Sequence, residues 1–240
     1  MVEGMLLVLL TLVAGAVGTA TGFGTSTIMI PVLALIVPLP VALLFVGIIH
    51  LFGDIWKMIL FRGGLQWRLV LGFGITGIVA SFAGARLSRM AAEMPLKQVL
   101  GAFLLLYVVF LLVKRDWALP RTAATAAAGG ALSGLFAGFF GVGGTVRGAF
   151  LAAFDLPKEV YVFTSGVIAL FIDATRICTY LWDGTRLEER LLFALIACVP
   201  VSLLGAVLAK RFLTRFPQRQ FRIFVCAFIG LIALKLLVWS

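Results

Sequence analysis

His50, Asp54 and Lys57 stand at i, i+4 and i+7, so a helix through them carries an imidazole, a carboxylate and an ammonium along one face. Asp173, Arg176 and Tyr180 repeat the arrangement later in the chain, with Ala169 where a second histidine would fall. Acid and base spaced this way in apolar sequence have two uses. They neutralise each other as a pair that ties segments together, or they relay a proton and gate a path. His50 is the single histidine of the chain, and histidine is the side chain that changes charge near neutral pH. A lone histidine is also commonly a hydrogen-bonded core residue. His50, Asp54, Lys57, Asp173 and Arg176 are the candidates for coupling or gating.

Two glycine-rich stretches offer a different chemistry. One holds Gly22, Gly24, Thr25, Ser26 and Thr27; the other holds Gly141, Gly143, Gly144 and Thr145. Glycine lets a ligand approach the backbone closely, and the hydroxyls add donors. A helix that begins at such a stretch presents unpaired N–H groups and about half a positive charge. Two such ends facing each other make an anion site. The competing use of the glycines is close helix packing. Arg147 follows Gly144 by three residues, which puts it on the first turn of the next helix. Its counterpart is Ile28, so the repeat did not require a cation there. A guanidinium fork suits a sulfonate, carboxylate or phosphate. Close to the interface it would instead snorkel to the surface. Arg147 joins the glycines and hydroxyls above as a substrate-binding candidate.

These residues are positioned by a duplication. At an offset of 119, Pro38 falls on Pro157, Gly47 on Gly166, Phe52 on Phe171, Asp54 on Asp173 and Lys57 on Arg176. After a two-residue slip, Gly84 falls on Gly205 and Phe103 on Phe224. The reading is a first transmembrane repeat over 1–115, a linker over 116–122 and a second repeat over 123–240.

Composition sets the class. The chain is 62% hydrophobic and 12% charged over 240 residues, with a mean hydropathy of +1.16. A soluble domain holds about 45–50% apolar and about 25% charged residues. An all-α polytopic membrane protein follows, with no soluble domain. Five apolar segments are expected per half, at about 5–21, 26–37, 40–61, 69–87 and 97–113, then 123–139, 145–154, 158–182, 190–210 and 219–238. The second of each set is too short to span about 30 Å of hydrocarbon, so each half should contain a broken or re-entrant helix unit.

The net charge of +10 clusters between apolar runs, as loops at an anionic membrane surface do, and does not suggest nucleic acid. Five crossings per half would put eleven basic residues, from Arg62 to Arg222, on one side and six on the other. Four crossings would give nine against eight. The positive-inside rule favours the first split, hence inverted repeats with both termini outside. The three cysteines are scattered, so neither a metal site nor a cofactor is expected. Glu3 is the first charge, so the N-terminus does not read as a cleaved signal.

Hydrolytic chemistry has little support: no GxSxG, HExxH or P-loop is present, and nothing pairs Ser26 or Ser165 with His50 by spacing. Duplication with broken helices points to a secondary transporter of a small anion, working by alternating access. A passive anion channel and a membrane-embedded enzyme are the alternatives.

At these residues the chain resembles the sulfite exporter TauE/SafE family of membrane permeases. The first stretch, Gly22-Phe23-Gly24-Thr25-Ser26, leads to Pro31, and the second reads Gly141-Val142-Gly143-Gly144-Thr145. The family pattern is a GxGGG-type break in each half, then a short helix with a proline. Thr25 and Ser26 replace two of those glycines, and Phe150 stands where the second proline would be. The resemblance covers essentially the whole chain. It implies transport of sulfite, sulfoacetate or related organosulfonates across a bacterial inner membrane. Members that take thiosulfate use central cysteines, and neither stretch here has one.

Overall fold

The computed structural model describes residues 2–21, 24–91, 93–113, 119–152, 154–211 and 218–238. Gly22, one of the candidate binding residues, lies outside them. Ten helices follow in order: α1 (Val2–Thr21), α2 (Ser26–Leu33), α3 (Leu39–Leu60), α4 (Trp67–Met90), α5 (Glu93–Val113), α6 (Ala123–Phe140), α7 (Gly143–Ala152), α8 (Lys158–Trp182), α9 (Glu189–Arg211) and α10 (Gln218–Val238). Among the described residues there is no strand. Helices α3, α4, α6, α8 and α9 are each long and apolar enough to cross a bilayer. The outward faces agree: Leu71, Ile75 and Val79 of α4 and Phe193 and Ile196 of α9 are exposed, which suits contact with lipid.

Local chemistry sets the boundaries. Pro38 and Pro157 precede α3 and α8 and disfavour helix in the residue before them. Helix α2 stops at Leu33, four residues short of the apolar run, and the chain turns over 34–37 before Pro38. Thr122 caps α6, its hydroxyl accepting from the N–H of Thr125 at 3.1 Å. Gly141 ends α6 in the left-handed conformation, φ +74°. Its N–H and that of Val142 bond to the carbonyls of Ala137 and Phe136. The chain re-enters helix at Gly143, two residues earlier than the apolar pattern indicated.

Packing runs between the halves. Helix α4 lies along α6 and α1 along α9, while α3 packs on α8 and α5 on α10. Exchanging each helix for its counterpart turns the first pair into the second and leaves the other two unchanged. Small residues allow the close crossings: a Cβ on Gly84 would lie 2.4 Å from the carbonyl oxygen of Leu135, and one on Gly205 2.8 Å from that of Leu12. Helix α3 is the most enclosed, with a continuous buried run from Ala42 to Gly47. Its buried face continues through Ile49, His50, Gly53 and Asp54.

Candidate functional site

The polar residues of α3 and α8 meet where these helices pack. On α3, Lys57 Nζ donates to Asp54 Oδ1 at 2.9 Å; on α8, Arg176 Nε donates to Asp173 Oδ1 at 2.6 Å. Both are the i, i+3 neighbours that helical spacing provides. The two remaining carboxylate oxygens converge on one atom. His50 Nδ1 lies 2.6 Å from Asp173 Oδ2 and 3.2 Å from Asp54 Oδ2. A nitrogen between two carboxylate oxygens must carry hydrogen and donate it. The bond goes to Asp173, and Asp54 Oδ2 is left with the ionic contact alone. His50, Asp54 and Asp173 are each 2% exposed.

The glycine junctions close over this cluster. Gly24 holds φ +83°, and a Cβ there would lie 2.6 Å from His50 Nε2. Arg176 Nη1 lies against Gly141 and Gly47, where added Cβ atoms would stand 3.2 and 3.4 Å away. A side chain at Gly141 would also strike Ile30 of α2. Both junctions therefore border one acid–base cluster, Gly24 at its histidine and Gly141 at its arginine. Four buried atoms of the cluster and its border have no hydrogen-bond partner: Ser26 Oγ, His50 Nε2, Arg176 Nη1 and the Asp54 Oδ2 that faces His50. Each such group costs about 1–3 kcal/mol. Folding alone gives no reason to gather four of them, whereas a polar ligand does.

The other candidates fall into two sets. Thr145 Oγ1 donates to its own turn at Val142 O, 2.6 Å away, so this hydroxyl caps rather than waits. Gly143 packs on α6, where a Cβ would lie 2.3 Å from Ser133 O, and Gly144 is buried in the first turn of α7. Thr25 and Thr27 are buried, and Thr25 Oγ1 lies 3.7 Å from a Cβ position on Gly53 of α3. Arg147 differs from the sequence reading in register. Because α7 starts at Gly143, Arg147 is its fifth residue, past the first turn. It is 4% exposed rather than snorkelled. Its Nε donates to Ser165 Oγ of α8 at 3.0 Å. Among the described residues it has no acidic partner, and its charge acts on Asp173.

His50, Asp54 and Asp173 are also a trio of the type that holds a metal ion, with ligand atoms within 4.8 Å of one another. Yet each carboxylate already binds a cationic side chain through Oδ1, and both Oδ2 atoms turn to a single ring nitrogen. That geometry is built around a proton. Among the described residues no serine hydroxyl hydrogen-bonds to His50: Ser165 serves Arg147, Ser26 Oγ is unpartnered, and His50 Nδ1 serves Asp173.

Toward the ends of α4 and α8, Tyr180 closes the cluster from one side. Its hydroxyl donates to Gly138 O at 2.5 Å. Beyond it lies a small cleft lined by Pro40, Leu43, Ser88, Arg89, Tyr180, Asp183 and Thr185, with Arg86 paired to Asp183 at its rim.

Sequence reasoning found both in-helix pairs and missed the bond that joins them. One signal was available: a single histidine on a duplicated face, with alanine in its mate, has to serve both halves. Ser165 as the partner of Arg147 carried no signal.

A family model described as sulfite exporter TauE/SafE matches residues 7–236. No curated protein matches the chain. With a match that reaches from α1 to α10, the chain belongs to the sulfite exporter TauE/SafE family, whose members are membrane transporters of sulfur anions such as sulfite.

Proposed function

We propose that the chain is a secondary transporter that moves sulfite or an organosulfonate across a bacterial inner membrane by alternating access around the two glycine junctions. The observation that carries this reading is the set of unpartnered buried atoms, Ser26 Oγ, His50 Nε2 and Arg176 Nη1, beside the bends at Gly24 and Gly141. An incoming oxyanion would accept from Arg176 Nη1 and the Ser26 hydroxyl together, and from His50 Nε2 when that atom carries a proton. Arg147, buried without an acid, adds charge of the right sign. Gly143, Gly144, Thr25, Thr27 and Thr145 shape the junctions around that ligand. In this reading the repeats are inverted and the short helices α2 and α7 are re-entrant. The His50–Asp173 bond is the contact that the halves break and remake, with Lys57 and Arg176 holding the carboxylates in place.

The test is flux of labelled sulfite into proteoliposomes, with and without a proton gradient. The expected result is saturable uptake above protein-free vesicles, changed by the gradient and reduced by Arg147→Ala. Uptake equal to that of empty vesicles would overturn the reading.

A further inference from the structure

The buried charges count out to an odd number. Lys57 and Arg176 bring two positive charges to the cluster and Asp54 and Asp173 two negative ones, and Arg147, buried on α7 and bonded to Ser165 of α8, adds a third positive charge with no acidic partner among the described residues. Arg147 and Arg176 are 4% and 0% exposed. An uncompensated charge in such surroundings is costly, so the surplus of one sets what the site can hold. The ionisable side chains of α4 and α9, which pack on α8 and α3, are exposed: Arg68, Arg86 and Arg89, and Glu189, Arg190, Lys210 and Arg211. Helix α2 carries no ionisable side chain over Ser26–Leu33, and α6 carries none over Ala123–Phe140. Tyr180 on α8 and Tyr161 near Arg147 are neutral phenols. Asp183, beyond Tyr180, is paired with Arg86.

His50 is the remaining variable. With Nδ1–H directed at Asp173, a neutral ring presents a lone pair at Nε2, which repels an anion. A proton added from water at Nε2 converts that atom into a donor and raises the surplus by one. Nε2 is buried, unpartnered and set against the bend at Gly24. We infer that the site takes a singly charged anion with His50 neutral, and a doubly charged one only together with a proton on His50 Nε2. Either way one net negative charge enters with each ligand. This rests on the anion-transport reading and adds to it the valence of the substrate and the residue that adjusts to it.

Isethionate and sulfoacetate are close in size and carry one and two negative charges at about pH 8. Their binding to the purified protein, by calorimetry in HEPES and in Tris, reports protons taken up through the difference in buffer heat. Isethionate is expected to bind with no uptake and sulfoacetate with about one proton per site. In His50→Gln, sulfoacetate should weaken by about tenfold or more relative to isethionate and lose its proton. Equal uptake for both ligands would overturn the inference, as would uptake with sulfoacetate that survives His50→Gln. If that variant does not fold, the two ligands on the unaltered protein decide the matter. Absence of binding by sulfite, isethionate and sulfoacetate alike would remove the anion reading itself, a result distinct from binding without the proton difference.

Discussion

Gly24 is under two constraints at once: a left-handed backbone and a buried imidazole where its Cβ would be. Alanine in that conformation costs about 1–3 kcal/mol through the backbone, and here the methyl must also displace His50. Gly184 separates the two effects, since it holds φ +87° with nothing within 4 Å. Gly24→Ala should lower the melting temperature in detergent well beyond Gly184→Ala, and should abolish flux where the control retains it. The two aspartates are unequal for a similar reason. Asp173 serves Arg176 and His50, both nearly sealed from solvent, whereas Lys57 beside Asp54 keeps 12% side-chain exposure. Breaking a buried pair costs about 3–5 kcal/mol. Asp173→Asn should lie at that end in thermal melts and Asp54→Asn clearly below it. Normal melting of Asp173→Asn with lost proton coupling would show that its role is catalytic of movement rather than structural. In the proposed function, Arg147→Ala removes one charged hydrogen bond to the ligand, about 1.5–3 kcal/mol. Sulfite or sulfonate affinity should then fall about 10- to 150-fold, with partial recovery in Arg147→Lys, which keeps charge but loses the fork.

At the scale of the helices, the crossings of α4 with α6 and α1 with α9 depend on absent side chains. Gly84→Ala meets a backbone oxygen at 2.4 Å and Gly205→Ala one at 2.8 Å, so both should destabilise, the first more. Melting curves of the two variants test the ranking. All ten helices were legible in the sequence because runs of apolar residues and their prolines are local signals. What the sequence misjudged was the start of α7, because a glycine-rich run reads as a break throughout. Only Gly141 in fact takes a left-handed turn there, and Gly143 and Gly144 are helical. The site was half legible. Asp54–Lys57 and Asp173–Arg176 follow from i, i+3 spacing, but His50 and Asp173 are 123 residues apart. No local pattern encodes a contact between helices of different halves.

For the whole molecule, the pairing of α1 with α9 and α4 with α6 makes each half a partner in the other's packing. Neither half buries its small-residue faces alone. Cutting the chain near Pro120 and expressing the pieces singly should yield no stable protein. Co-expression should restore a complex that co-purifies and carries anions. A stable, monodisperse single half would contradict that interdependence.

The lack of a mate for His50 has an energetic consequence. A transporter whose two repeats were identical could swap their shapes at no cost, and its inward- and outward-open forms would be degenerate. With histidine in one repeat and alanine at position 169, and with Arg147 opposite Ile28, the swap is no longer between equals. Under the proposed alternating access, one form keeps the imidazole bridge and the other gives it up. The resting population expected is then lopsided, that of a valve with a preferred side even before any gradient is applied.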